Sequence, residues 1–292
     1  MSEDPFIAHR SLLFTVAYEM VGSAADAEDV VQETWLRWAA LGEAERGVVR
    51  DPRAYLVRIV TRLCLNRFRT LARQREEYVG QWLPEPVLTS PDVADDVELA
   101  ESVSIAMLAV LETLLPTERA VFVLREVFDV PYDEIAEALD KSPAAVRQIA
   151  TRARKHVAAR RPRTSVSRTE QQQVVERFLA ALTTGDVPGL LEVLAPDVLI
   201  VGDGGGLAPA IPKPVRGASK IAQLMARFAV VAPNAVATVV DLNGGVGARI
   251  DPGGEHETAV SFVIEDGRIT ELYAIRNPDK LERLDEVSEL QR

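Results

Sequence analysis

Cysteine is all but absent: Cys64 is the single one in 292 residues. No internal disulfide can form, thiolate-rich metal sites are excluded, and Cys64 reads as a small apolar packing residue. No metal, cofactor or catalytic set is expected. Uninterrupted apolar runs fall short of the ~18 residues of a membrane span. The acidic start of the chain lacks a signal-peptide pattern. A cytoplasmic protein with no membrane contact is therefore expected. Net positive charge is lacking too, at −11 overall, which argues against a nucleic-acid partner. Apolar content of 47% with 26% charged residues is ordinary for globular protein, and the length suits two or three domains.

The mean charge hides segregation. Residues 52–75 hold seven Arg and no acid, and residues 76–101 hold eight acids and no base. Residues 142–168 hold eight Lys or Arg and no acid. Two basic segments separated by an acidic one predict two nucleic-acid surfaces joined by a linker.

The second basic segment follows a short helical pattern over 131–139. Ile135, Ala138 and Leu139 share one face, and Asp140-Lys141-Ser142 makes a tight turn. Ser142 is a good N-cap, with Pro143 at the first helical position. Val146, Ile149, Ala150, Ala153 and Val157 then continue an apolar face while the bases project elsewhere. This is a helix-turn-helix whose second helix suits a major groove. Arg147 and Gln148 would reach bases, with Thr151, Arg152 and Lys155 following at helical spacing. Arg154, Arg160 and Arg161 would neutralise phosphates.

Upstream, Phe6–Met20 and Ala24–Ala40 read as helices, the second capped by Ser23 or Asp26. Its predicted core stripe is Val30, Val31, Thr34, Trp35 and Trp38, with Glu28, Asp29, Gln32 and Glu33 opposite. A third helix starts at Asp51-Pro52 and carries Arg58, Arg62, Asn66 and Arg69 on its exposed side. Tyr55 and Phe68 beside them read equally well as base-stacking or core aromatics.

Asp26-Ala27-Glu28-Asp29-Val30-Val31-Gln32-Glu33, then Asp51-Pro52-Arg53-Ala54-Tyr55-Leu56 and an Arg-rich helix, resembles domain 2 of extracytoplasmic-function (group IV) sigma factors. Leu114-Leu115-Pro116-Thr117-Glu118-Arg119, running into Tyr132-Asp133-Glu134-Ile135-Ala136, resembles their domain 4. The resemblance implies core RNA polymerase as partner, through the β′ clamp helices and the β flap. The clamp contact would use Asp26, Glu28, Asp29, Gln32 and Glu33. It implies promoter DNA as the second partner. Domain 2 would melt and read the −10 element through Arg58, Arg62, Asn66 and Arg69, and domain 4 the −35 element.

Between the two lies Trp82-Leu83-Pro84-Glu85-Pro86, an extended piece too apolar to stay exposed, so it is expected to dock on something. Beyond Arg163, a linker over Pro162–Ser167 leads to helix, strand and hairpin signals that read as α+β, with Asp266-Gly267 as a hairpin turn. This part resembles SnoaL-like domains, cone-shaped barrels in which a curved sheet is wrapped by helices. The Trp-Leu-Pro-Glu-Pro linker, Asp203-Gly204-Gly205-Gly206 and Asn277-Pro278-Asp279-Lys280-Leu281 mark the sigma subgroup that carries such an extension. One departure is Leu207, where that pattern has lysine; Lys213 or Lys220 would have to replace its charge.

The fold expected is multidomain: two all-α sigma domains, the second with a helix-turn-helix, and a C-terminal α+β SnoaL-like barrel. The boundaries are 1–76, a linker over 77–98, 99–163, and 164–292. Contacts among the three marker segments would let the extension act in cis, with no separate anti-sigma factor and a monomer when free. Two other classes compete. A repressor or activator with a ligand domain needs neither the acidic helix nor the second basic one. An enzyme that borrows a helix-turn-helix would use Asp203 in the cone as acid or base, since His256 reads as an exposed turn residue.

Overall fold

The computed structural model describes residues 4–161, 166–254 and 256–292. Residues 162–165 of the expected 162–167 linker, and with them the 163/164 boundary, lie outside the described residues, as does Glu255.

The N-terminal unit packs α1 (Pro5–Val21), α2 (Ala24–Ala39), α3 (Glu43–Val48) and α4 (Pro52–Glu77). The expected caps form: Ser23 Oγ accepts from Asp26 N, and Asp51 accepts from Ala54 N ahead of Pro52. Strand β1 (Leu88–Thr89) follows, then α5 (Pro91–Asp95), α6 (Val97–Val103), α7 (Ile105–Leu111) and α8 (Pro116–Phe122). A π-helical segment, Val123–Val127, ends α8. The helix-turn-helix is α9 (Tyr132–Ala138) and α10 (Pro143–Ala158). Ser142 caps α10 through Ala145 N, and Asp140 takes the turn's left-handed position at φ 51°.

These helices share one apolar core. It runs from Leu13, Tyr18 and Met20 through Leu56 and Leu71 to Leu108, Leu124, Val146 and Val157, and takes in Val87 of the linker and Leu290 of the tail. The two sigma units are therefore packed on each other. Phe68 belongs to this core, so it is no base-stacking residue; Tyr55 lies partly buried beside Trp38. Trp35, expected inside, is exposed at 36% and only tilts against Phe6 at 5.0 Å.

The C-terminal unit comprises α11 (Arg168–Thr184), α12 (Val187–Val193), β2 (Leu194–Asp203), β3 (Val215–Arg216), α13 (Ala218–Val231), β4 (Val236–Leu242), β5 (Gly245–Asp251), β6 (Thr258–Glu265), β7 (Arg268–Ile275), α14 (Pro278–Leu281) and β8 (Val287–Ser288). Among the described residues the strands form one sheet of eight, ordered β3-β2-β7-β6-β5-β4-β1-β8. The α+β expectation holds, with one extension: linker strand β1 and tail strand β8 complete its edge, Leu88 pairing with both Leu242 and Val287. Period-2 alternation sorts the faces. Val260, Ile264 and Leu272 face the cone with Phe178 and Ile221, whereas Val263, Tyr273 and Ile275 pack with Leu83, Ile105 and Ala106. The back of the sheet thus rests on α7 and the linker. No helix among the described residues is long and apolar enough to cross a membrane.

Candidate nucleic-acid interface and interdomain clasp

The exposed face of α10 is basic. Arg147, Gln148, Thr151, Arg152 and Lys155 are all exposed there, as expected. Arg147 sits 5.4 Å over the Tyr132 ring, and Arg152 reaches Glu118 at 3.4 Å. Such half-exposed pairs are weak, so a phosphate or a base edge displaces them at little cost.

The first basic helix is in a different state. Asn66 and Arg69 on α4 are exposed, but Arg58 pairs with Glu137 of α9. Arg62 forks onto the carbonyls of Glu137 and Ala138, both at 3.1 Å, and onto Asp140 at 3.1 Å. Carbonyls at a helix C-terminus and a carboxylate suit a guanidinium. Half of the α4 surface expected to grip DNA is therefore held by the other sigma unit.

On α2, Asp29, Gln32 and Glu33 are exposed. Asp26 is largely covered and bonded to Arg67 Nε at 2.7 Å, and Arg67 also reaches Asp29 at 2.8 Å. Glu28 pairs with Arg10 at 2.8 Å and Glu33 with Arg37 at 2.7 Å. Asp29, Gln32 and Glu33 form the accessible acidic face; Asp26 is a structural partner of Arg67.

The three marker segments meet. Asp203, at the end of β2, is fully buried. Its Oδ2 accepts from Leu83 N at 2.8 Å and from Lys280 Nζ at 2.7 Å. Its Oδ1 accepts from Tyr78 Oη at 2.5 Å and Gly205 N at 3.1 Å, and its carbonyl from Arg276 N at 2.7 Å. Lys280 Nζ also donates to Leu83 O at 2.5 Å and lies 3.5 Å from the Trp82 ring centroid. Asn277 Nδ2 donates to Tyr78 Oη at 2.8 Å, and Tyr78 stands edge-on to Trp82 at 4.6 Å. Asn277 caps α14 at Asp279 N, with Pro278 at its first position. Asp279 is exposed and Leu281 packs beneath the sheet edge.

The expected lysine substitutes are corrected. Lys213 and Lys220 are exposed, and the cation on Asp203 is Lys280 of the third marker. Asp203 is likewise not a cone acid, since its carboxylate points at the linker. Burial drives the Lys280 ammonium pKa down against the opposing pull of Asp203. Burial and the carboxylate beside it push the Tyr78 phenol up, so it stays a donor. The glycines serve close approach. A Cβ on Gly205 would meet Asn277 Nδ2 at 2.4 Å, one on Gly206 would meet Val79 Cβ at 3.0 Å, and one on Gly204 would meet Ala208 O at 2.1 Å. His256 is half-buried rather than exposed.

Glu85 completes the linker. Pro84 and Pro86 are buried beside it and bring no N–H that needs a partner. Glu85 Oε2 accepts from Ser23 Oγ at 2.8 Å and Ala24 N at 2.9 Å, at the positive end of the α2 dipole. Burial raises its pKa against those donors. Glu85 N donates to Gly22 O at 2.9 Å, and Tyr18 Oη donates to Glu85 O at 2.6 Å. Trp82-Leu83 thus grips the C-terminal unit, and Glu85 grips the start of the acidic helix.

Asn243 went unseen in the sequence. At φ 51° in the β4–β5 turn, its Oδ1 accepts from Val87 N at 3.0 Å. Its Nδ2 donates to Tyr18 Oη at 2.6 Å and Val103 O at 2.8 Å. One amide so bridges the linker, the first sigma unit and the approach to the second. Asn243-Gly244 is a hairpin signal, but nothing in the sequence shows where the tip lodges.

Residues 6–74 match Sigma-70 region 2, and residues 104–157 match Sigma-70, region 4. The ECF RNA polymerase sigma factor SigJ of Mycobacterium tuberculosis (strain ATCC 25618 / H37Rv) is 40% identical over 297 residues, covering 96% of this chain and 93% of that protein. The probable ECF RNA polymerase sigma factor SigI of the same strain is 38% identical over 194 residues, 65% of this chain and 66% of that one. The crystal structure of Mycobacterium tuberculosis SigJ superposes with a TM-score of 0.77 at 37% identity, covering 96% of this chain and 98% of that one. With both sigma regions matched and the full-length likeness extending through the SnoaL-like unit, the chain belongs to the extracytoplasmic-function RNA polymerase sigma factors, non-enzymatic initiation factors, in the subgroup with a fused C-terminal SnoaL-like domain.

Proposed function

We propose that this sigma factor directs promoter-specific initiation and that its SnoaL-like domain regulates it in cis, by holding the two DNA-reading units in a closed arrangement. The promoter elements take their names from positions ~25 bp apart, roughly 85 Å of duplex at 3.4 Å per step. Units packed against each other do not span that distance, so engagement of both elements requires them to part. The observation that carries the reading is the Asp203 clasp, in which a buried carboxylate of the C-terminal sheet binds Tyr78 and Leu83 of the linker and Lys280 of the tail. Tethering supplies an effective concentration near mM, so modest contacts hold the closed form without a separate anti-sigma subunit. In the open form Asp29, Gln32 and Glu33 face the β′ clamp helices. Arg58, Arg62, Asn66 and Arg69 take the −10 element, and Arg147, Gln148, Thr151, Arg152 and Lys155 take the −35 element.

The test is Trp82→Ala in the full chain. Transcription in vitro with core polymerase on a promoter selected from a library is expected to change severalfold, with the linker newly open to protease. Unchanged transcription together with unchanged linker protection overturns the regulatory reading. Failure of the wild-type chain to bind core polymerase in a pulldown overturns the polymerase contacts.

A further inference from the structure

The concave face of the sheet, α11, α13 and the loop over 209–212 line an open cavity of about 580 Å³, inside the usual range for small-molecule sites. Its body is apolar, walled by Phe178, Leu182, Ile200, Phe228 and Leu272. Apolar side chains stay exposed at the mouth, where Leu224 is 40% and Val231 82% accessible. The lining has no Asp or Glu, and its charge comes from two arginines, Arg227 and Arg276.

Arg276 is the informative one. Its guanidinium donates to Pro209 O at 2.9 Å and to His256 O at 3.4 Å, and its Nε is buried with no partner among the described residues. A guanidinium has five N–H donors; with Nε out of reach and one bond from each Nη to a carbonyl, one N–H on each Nη is left for a ligand. Neither Arg276 nor Arg227 has an ion-pair partner among the described residues, unlike Arg58 and Arg62 of α4 and Arg152 of α10. A half-desolvated cation at the edge of an apolar cavity is best compensated by an anion. One planar guanidinium edge matches one carboxylate. The apolar walls and rim demand that the rest of the ligand be hydrocarbon.

We propose that the cone binds an amphipathic monocarboxylate, an aliphatic or aromatic acid whose carboxylate sits on Arg276 and whose hydrocarbon part fills the cavity. The site is next in sequence to Asn277 of the clasp, but occupancy is measured directly and stands whether or not the clasp regulates transcription.

Calorimetry on the full chain tests this with dodecanoate as probe, and with dodecan-1-ol and dodecyltrimethylammonium as length-matched controls. Saturable dodecanoate binding is expected, tenfold or more tighter than the alcohol, with no binding of the cation. Arg276→Gln should weaken dodecanoate by roughly tenfold or more and leave the alcohol unchanged, since it removes a charge-assisted pair. Ala274→Phe, which fills the cavity from β7, should abolish both. If Arg276→Gln does not fold, the wild-type comparison of acid, alcohol and cation decides. Absence of saturable dodecanoate binding, equal affinity for acid and alcohol, or binding unaffected by Ala274→Phe overturns the proposal.

Discussion

Lys280 holds its ammonium 2.7 Å from Asp203 Oδ2 with both side chains buried, and the two are 77 residues apart in the C-terminal unit. Breaking such a pair from one side strands a charge. Lys280→Met leaves the Asp203 carboxylate with Tyr78 Oη and the amides of Leu83 and Gly205 only. The expected cost is roughly 3–5 kcal/mol in urea unfolding. Asp203→Asn with Lys280→Met should cost less than the sum of the singles, because the double variant has no unpaired charge. Strict additivity would mean that the pair is not coupled.

Asn243→Ala should loosen the seam where the sheet meets both sigma units. It strands Val87 N and Val103 O and removes a partner of Tyr18 Oη, all buried. Each loss is worth about 1–3 kcal/mol where water does not replace the amide. Asn243→Asp keeps the acceptor for Val87 and a residue that tolerates positive φ, but sets a buried carboxylate against Val103 O, so it should cost at least as much as the alanine variant at neutral pH. Amide exchange over residues 84–90 reads the outcome, and unchanged protection in Asn243→Ala rules out the bridging role.

Both helices with basic faces, the caps at Ser23, Asp51 and Ser142, and the hairpin at Asp266-Gly267 were legible, because each rests on local chemistry in a few adjacent residues. The meeting of the marker segments was expected from resemblance, but the choice of Lys280 over Lys213 or Lys220 was not, since it depends on where α14 sets its side chains. Strands β1 and β8 are two residues each and exist only through their pairing, so no periodicity announces them. The hold of Glu137 and Asp140 on Arg58 and Arg62 joins residues more than seventy apart. In the sequence those acids look like an ordinary solvated helix face.

Stability should fall as pH rises from about 5 to 8, through Glu19. This α1 carboxyl is buried against Ser102, whose Oγ donates to Oε1 at 2.7 Å, and below Arg119, whose Nε donates to the Glu19 carbonyl at 2.8 Å. Burial, outweighing Ser102 and Arg119, pushes its pKa up to about 8 from 4.5. Between those values the native chain holds a proton that the unfolded chain has released. The contribution is therefore complete below the unfolded value and is lost as pH climbs through the folded one. The slope from this group reaches at most about 1.4 kcal/mol per pH unit. Glu19→Gln should flatten this part of the profile. Equal slopes for variant and wild type in urea titrations at pH 5, 6, 7 and 8 would remove Glu19 as the cause.

Reversing charge at the α9 contact should expose α4. In Glu137→Arg with Asp140→Asn, the attraction on Arg58 becomes a repulsion and that on Arg62 is removed, while position 140 keeps a residue that tolerates its positive φ. Surface pairs contribute only up to about 1 kcal/mol each, and like charges oppose by similar amounts. A total shift near 1.4 kcal/mol multiplies a minor open population about tenfold. Apparent affinity scales with the competent fraction, so a single-stranded oligonucleotide carrying the −10 sequence should bind the free variant about tenfold tighter. The added positive charge also raises affinity for any strand, and salt screens that part together with the repulsion that opens the contact. The control is therefore the same pair of substitutions at the exposed Glu192 and Asp197 of the C-terminal unit, which should raise affinity less, and the extra gain should vanish when Arg58→Ala and Arg62→Ala are added. An equal gain from the control would mean that α9 does not mask α4.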